Sequence, residues 1–143
     1  MEIQIRKMTI EHVNDVRRLS EQLGYPVSEV QIETNIKEVV FSQNHIAFVA
    51  MYDQKVVGWI YAFRALLIES KPFIEISGLI VDENYRNKGI GKTLVEKIKE
   101  WSLEKAINEV RVRSNILRDK AHLFYLNNGF TGIKQQKVFQ MHL

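Results

Sequence analysis

The run Arg86-Asn87-Lys88-Gly89-Ile90-Gly91-Lys92-Thr93 gathers three cations and two glycines into eight residues. It follows an apolar stretch that ends at Val81, and it opens a segment whose apolar positions Ile90, Leu94, Ile98 and Trp101 fall at helical spacing. Glycines at a strand-to-helix turn let backbone N–H groups face one point, and the helix N-terminus adds partial positive charge. The chemistry this suits is phosphate binding. Two familiar phosphate loops do not fit. A P-loop needs glycine where Arg86 stands, and the dinucleotide fingerprint needs glycine where Leu94 stands. The plain alternative is a pair of glycines that only shape a tight turn.

Glu75 is the second residue that could do chemistry. It interrupts the apolar run Phe73-Ile74-Glu75-Ile76, fourteen residues before Gly89. A carboxylate brought into a partly buried site has its pKa raised, which makes it a better general base; an edge-facing glutamate in solvent is the alternative. Other chemistries fall away. The chain has no cysteine, so thiolate nucleophiles, Cys-rich zinc sites and disulfides are excluded. His12, His45 and His142 have no spacing that suggests a metal, and no metal is expected. Ser77 lies in Ile76-Ser77-Gly78-Leu79, which lacks the nucleophile elbow of a serine hydrolase. Arg111 and Arg113 alternate with valines and are expected in solvent.

Arg86-x-x-Gly89-x-Gly91, placed between an apolar strand and an amphipathic helix, resembles the pyrophosphate loop of the GNAT superfamily of acetyl-CoA-dependent N-acetyltransferases. Downstream, Ser114-Asn115, Ala121-His122-Leu123-Phe124-Tyr125 and Gly129-Phe130 resemble the second half of the same family's cofactor site. The resemblance follows the element order of the whole chain, with its specific motifs within residues 75–130. Among subfamilies, Asn115-x-x-Arg118-x-x-Ala121-His122-x-Phe124-Tyr125 looks most like aminoalkylphosphonate and related small-amine acetyltransferases.

The resemblance implies an enzyme that moves acetyl from acetyl-CoA to the primary amine of a small molecule. Backbone groups of Arg86, Asn87, Lys88, Gly89, Ile90, Gly91 and Lys92 would hold the pyrophosphate, with Arg118 or Lys120 adding charge. Leu79, Ile80 and Val81 would pair with the pantetheine arm like an added strand, a backbone N–H of Leu79 or Ile80 facing the thioester oxygen. Asn115 would hold the arm from the opposite strand, and Ala121, Phe124 and Tyr125 would complete the cofactor site. Tyr125 would protonate the leaving thiolate, a role suited to a phenol of pKa near 10; a packed helix tyrosine is the alternative. Glu75 in the base-containing members' position would take the amine's proton, directly or through water. Tyr25, Glu75 and His122 are the substrate candidates, although His122 on its helix also reads as a packing residue. With no cysteine, direct transfer is expected over a ping-pong route.

Positioning these residues falls to elements that periodicity outlines. Ile3 and Ile5 alternate as a first strand; Thr9 caps a helix with Val13, Val16, Leu19 and Leu23 on one face; Ser28 caps a second that buries Val30, Ile32, Ile36, Val39 and Val40. Strands at residues 46–52 and 56–63 flank a turn at Asp53-Gln54-Lys55, and a third strand covers 73–81. A helix at 89–104, a strand at Val110 and Val112, a helix at 121–128 and a strand at 138–143 complete the order β-α-α-β-β-β-α-β-α-β. This is an α/β (α+β) chain with a mixed sheet; the resemblance makes that sheet twisted, mostly antiparallel and flanked by helices. At 143 residues a single domain over 1–143 is expected. The final strand has two available partners, its own sheet or a second subunit's, and a homodimer is expected.

Charge adds a third theme. Residues 1–85 carry 8 basic and 12 acidic side chains, whereas residues 86–143 carry 12 basic and 5 acidic. A polyanionic ligand on the basic half and a cationic one on the acidic half would explain the split, as would solvated helix faces. The longest uncharged apolar stretch has 8 residues, too short to cross a bilayer. Residues 1–6 lack a signal-peptide layout, so a cytoplasmic location without a membrane partner is expected. Three alternatives remain beside the small-amine enzyme: acetylation of a protein or peptide amine, an acyl-CoA sensor without turnover, and a basic nucleic-acid-binding domain. The last has no nucleic-acid motif or stacking array behind it, and no nucleic-acid partner is expected.

Overall fold

The computed structural model describes residues 1–24 and 26–143. They form two compact units, Met1–Val112 and Arg113–Leu143.

In the larger unit, strands β1 (Gln4–Lys7), β2 (His45–Tyr52), β3 (Lys55–Ala65), β4 (Phe73–Val81) and β5 (Val110–Val112) lie side by side in chain order. The first four are antiparallel neighbours and β5 runs parallel to β4, so the sheet is mixed as expected. Asp53 and Gln54 join β2 to β3 with positive φ angles of 50° and 63°, the backbone that a two-residue hairpin turn needs. Two bulges interrupt the ladder. Val57 is the extra residue on β3 against β2, and Ser77 is the extra residue on β4 against β3.

One sheet face packs on helices α1 (Val13–Gln22) and α2 (Glu29–Phe41). Thr9 caps a short 3-10 turn, Ile10–His12, that leads into α1; its hydroxyl accepts from the Glu11 N–H while His12 Nδ1 accepts from the Thr9 N–H. Ser28 caps α2 as expected, accepting from the Gln31 N–H at 3.1 Å. Val13, Val16 and Leu19 of α1 and Ile32 and Ile36 of α2 close over Met8, Ala47, Val49, Val56 and Ile80. Val30 and Val40, expected in that core, are exposed. Helical spacing gave α2 a wider apolar stripe than the Ile32 and Ile36 pair it buries.

The opposite face carries α3 (Ile90–Glu104). Ile90 and Leu94 come within 3.3 and 3.4 Å of where a Cβ on Gly58 would stand, so glycine there lets the helix lie close on β3. Ile60, Ile74, Ile76, Ile90, Leu94 and Ile98 are all fully buried. Each contributes roughly 1.5–3 kcal/mol by leaving water.

The smaller unit contains α4 (Asp119–Asn127), followed by Gly129 at a φ of 93°. The strand expected at 138–143 is absent. No helix or strand is formed after α4, and Val138, Phe139, Met141 and Leu143 are exposed. Alternation alone does not make a strand, since without a paired neighbour it has no ladder to hold it.

Candidate functional site

The edge of β4 is the first component. β4 and β5 pair from Ile74 with Val110 to Ile76 with Val112, and no further among the described residues. Residues 77–81 are therefore paired on the β3 side alone. The register shows which backbone groups face the open side. Asp82 N–H donates to Val57 O at 2.8 Å, marking the 57/82 pair as hydrogen-bonded. Alternation along the antiparallel ladder makes 59/80 and 61/78 the next such pairs, so Ile80 turns its N–H and C=O toward β3. Leu79 and Val81 turn theirs away from it. The choice between Leu79 and Ile80 as the outward donor thus resolves to Leu79. Arg86 Nε donates to the outward Val81 carbonyl at 3.2 Å, which folds the arginine back over the strand end.

The loop after β4 is the second component. Asn87 and Gly89 take left-handed backbone, with φ of 61° and 81°, and Gly89 is the N-cap of α3. Two left-handed residues just before a helix start turn successive N–H groups outward as an anion-binding concavity. The amides of Ile90, Gly91 and Lys92, in the first turn of α3, have no carbonyl a turn earlier to bond. An ideal Cβ on Gly89 would meet nothing within 4 Å, so the position calls for glycine through its backbone angle and not through crowding. Lys88 and Lys92 are exposed beside it.

A buried carboxylate holds this loop in place. Asp82 is 1% exposed. Its carboxylate accepts from Arg18 at 3.0 Å, from the Asn84 N–H at 3.0 Å and from Gln22 at 3.4 Å. Arg18 also donates to Val56 O, and Gln22 Oε1 accepts from the Glu83 N–H. Burial would raise the Asp82 pKa, but the donors from Asn84, Arg18 and Gln22 outweigh it and hold the carboxyl below its ordinary value. Asp82, Arg18 and Gln22 were not among the expected site residues. An aspartate directly after an apolar strand, two residues before Asn84, was the available signal for a capping turn.

Glu75 lies in β4 opposite Phe63 of β3, half-buried, on the α1 and α2 face. Phe63 in turn lies opposite His45 of β2. Tyr61 Oη is 2.6 Å from His45 Nδ1, and the rings of His45, Tyr61 and Phe63 stand near one another. Burial holds the Tyr61 phenol above its ordinary pKa. At the far end of the row, Arg111 is not solvated as expected. Its guanidinium lies 3.9 Å from the Phe73 ring centroid and pairs with Glu109. The substrate candidate Tyr25 falls outside the described residues.

In the smaller unit, Tyr125 packs edge-on against Phe124 and Phe130, and burial raises its pKa against a smaller opposing effect of Arg118. Its phenol therefore keeps its proton at neutral pH. Asn115 Oδ1 accepts from the Leu117 N–H at 2.9 Å, and the Asn115 carbonyl lies 2.8 Å from His122 Nε2. His122 thereby ties α4 to the turn before it, which favours its packing role. Ala121 and Phe124 are half-buried on α4, and Arg118 and Lys120 are exposed.

Residues 11–130 match the model of the acetyltransferase (GNAT) family. The chain belongs to the GNAT acetyltransferase family. An uncharacterised N-acetyltransferase of Chlorobaculum tepidum is 31% identical over 110 residues, covering 76% of this chain and 65% of that protein. The chain thus spans just under two thirds of that relative. The aminoglycoside N(6′)-acetyltransferase type 1 of Salmonella typhimurium is 27% identical over 128 residues, covering 82% of this chain and 86% of that protein. Among solved structures, the aminoglycoside N-acetyltransferase AAC(6′)-Iy in complex with CoA superposes with a TM-score of 0.89 at 19% identity, over 99% of this chain and 96% of its own. At that identity the superposition shows a shared fold. Two of these three relatives are named as aminoglycoside acetyltransferases, and none of the three supports the aminoalkylphosphonate-type relation suggested by the 115–125 motif.

Proposed function

We propose that the chain is an acetyl-CoA-dependent N-acetyltransferase that moves acetyl directly to a primary amine of a small molecule, with residues 1–143 as a single N-acetyltransferase domain. The observation that carries this reading is the open β4 edge running directly into the left-handed loop at the start of α3. The outward Leu79 and Val81 groups suit an amide-bearing arm lying alongside as an extra strand. The loop amides suit the pyrophosphate at the end of that arm. Arg86, Lys88 and Lys92 add charge around it; in the smaller unit, Asn115, Arg118, Ala121 and Phe124 are the cofactor-binding candidates.

When bound, acetyl-CoA supplies the acetyl thioester and carries the thiolate away. Glu75 takes the proton from the acceptor ammonium, directly or through water, and so creates the nucleophilic amine. Leu79 N–H donates to the carbonyl oxygen as negative charge grows on it, a donor fixed in advance by the sheet. Tyr125 gives its proton to the departing sulfur. The acceptor falls to the acidic part of the chain, beside Glu75; Tyr25 stays a substrate candidate by sequence alone, and His122 a weaker one. The acetylated relatives' substrates make aminoglycoside amines the first acceptors to try; a protein or peptide amine is the second reading. A homodimer and a cytoplasmic location remain part of the proposal.

Thermal unfolding with acetyl-CoA, CoA, ATP and NADH, each at low and moderate salt, tests the cofactor half. A ligand at about 100 times its Kd adds about 2.7 kcal/mol of stability. Both CoA forms are expected to raise Tm at either salt. A rise with neither removes the cofactor assignment and directs attention to nucleic acid, whose binding falls steeply with salt. Thiol release with a panel of amines then separates an enzyme from a sensor.

A further inference from the structure

We propose that the hydrogen-bonded pair His45 and Tyr61, beside Glu75, recognises the acceptor and selects a primary ammonium on a ring or other apolar skeleton with no carboxylate next to the amine. The proposal rests on the acetyltransferase reading above and names the substrate class of that site.

His45, Phe63 and Glu75 are successive partners on β2, β3 and β4, so their side chains share one row on one sheet face. Tyr61, two residues from Phe63, stands on the same face and diagonal to Glu75. This face is fully buried at Ala47 and Val49 and half-buried at His45, Tyr61, Phe63 and Glu75, so its cover thins toward the row. The three rings lie 5.9 to 6.1 Å apart between centroids, with interplanar angles of 10° to 28°. They make a wall of nearly parallel aromatic plates that ends at a carboxylate.

The 2.6 Å contact between Tyr61 Oη and His45 Nδ1 gives that wall a polarity. In the His45 tautomer that carries its proton on Nε2, which the proposal requires, the phenol donates to Nδ1 and its oxygen retains acceptor capacity alone. An ammonium N–H is the natural partner of such an oxygen, and the aromatic faces and Glu75 reinforce the preference for a cation. Arg111, the cation opposite Glu75 in the row, is engaged by Glu109 and the Phe73 ring. A carboxylate adjacent to the amine would therefore face an acceptor-only oxygen and a second carboxylate, and is rejected. An apolar or ring skeleton gains contact with the plates. His45 is a positioning residue here, since it acts through the Tyr61 hydroxyl.

The test uses neamine and benzylamine against glycine, whose amine neighbours a carboxylate. Tyr61→Phe is expected to raise the KM of neamine and benzylamine about tenfold or more, the loss of one hydrogen bond to a charged group. The KM of acetyl-CoA should change less than twofold. His45→Gln, whose amide oxygen can accept the phenol's hydrogen bond, should retain a near-native amine KM, and His45→Phe, which leaves the hydroxyl in place but unoriented, should raise it by less than Tyr61→Phe does. A structural role alone would lower Tm and move both KM values together. An unchanged amine KM in Tyr61→Phe, or glycine acetylated as well as benzylamine, overturns the proposal. A parallel titration of the unaltered protein with neamine, read by NMR on the His45 and Tyr61 ring protons, needs no turnover; absence of any shift overturns the amine site. Failure of CoA to stabilise the protein overturns the acetyltransferase reading instead, and that titration still decides the amine site.

Discussion

Arg18 of α1 and Asp82 at the end of β4 are 64 positions apart in sequence and 3.0 Å apart in space. Their ion pair, with Gln22 beside it, fixes the first residues of the β4–α3 loop to a helix on the α1 and α2 face of the sheet. The loop is thus held from behind, leaving the left-handed turn at Asn87 and Gly89 for a ligand.

Removing that carboxylate should be costly. Asp82→Ala is expected to destabilise by about 2–4 kcal/mol, below the value for a fully buried pair because the Arg18 side chain is 36% exposed. Because the folded carboxyl titrates below its ordinary value of 3.8, its contribution is present above that pH and is lost as pH falls through the lower folded value. Urea unfolding of the two proteins should therefore show a gap that is full at pH 6 and shrinks below about pH 4. A constant gap would assign the effect to packing.

Two glycines should fail in different ways. A Cβ on Gly78 would lie 2.7 and 2.9 Å from the Trp59 ring, so Gly78→Ala must displace the indole, at a cost of roughly 1–3 kcal/mol. Gly89 has open space but a φ of 81°, so Gly89→Ala strains the backbone by about 1–2 kcal/mol. CoA titration distinguishes them: affinity should fall for Gly89→Ala beyond any change in Tm, and follow Tm for Gly78→Ala.

Tyr125→Phe should slow turnover by about 10² or more while CoA affinity stays within a few-fold. The raised phenol pKa keeps the acid form present across the neutral range, so wild-type kcat should decline only above about pH 10. That decline should be missing from the variant. Wild-type turnover in Tyr125→Phe would assign the ring to packing with Phe124 and Phe130.

Glu75→Gln should lower kcat/KM and remove the acidic limb of the pH–rate profile, since glutamine cannot take a proton. A profile of unchanged shape would exclude Glu75 as the base.

The left-handed loop at the start of α3 was legible from the sequence because its signal is local: left-handed and helix-capping positions call for glycine within a few residues of the helix start. The β2–β3 hairpin was legible for the same reason, from Asp53 and Gln54. What it places opposite what was not. From the turn, Tyr52 pairs with Lys55, and an unbroken ladder would set His45 against Ala62, on the wrong face for Tyr61. The extra residue Val57 shifts the register by one and sets His45 against Phe63. Nothing in Val56-Val57-Gly58 announces that shift. The tail at 138–143 failed for the complementary reason: alternation states what a strand would look like, and a pairing partner decides whether it exists.

The extra residue at Ser77 makes β4 sensitive to length in a way that composition does not reveal. Below it, Glu75 shares a face with Phe63; above it, Gly78 and Ile80 share that same face, although the residue numbers have changed parity. Deleting one position between Glu75 and Leu79 would either turn the carboxylate to the α3 side or point the Leu79 amide back into β3. Substitutions at Ser77 should be tolerated, while a gap there should separate the proposed base, Glu75, from the proposed oxyanion donor, Leu79. Among related chains, the spacing from Glu75 to Gly89 is therefore expected to vary less than the residues that fill it.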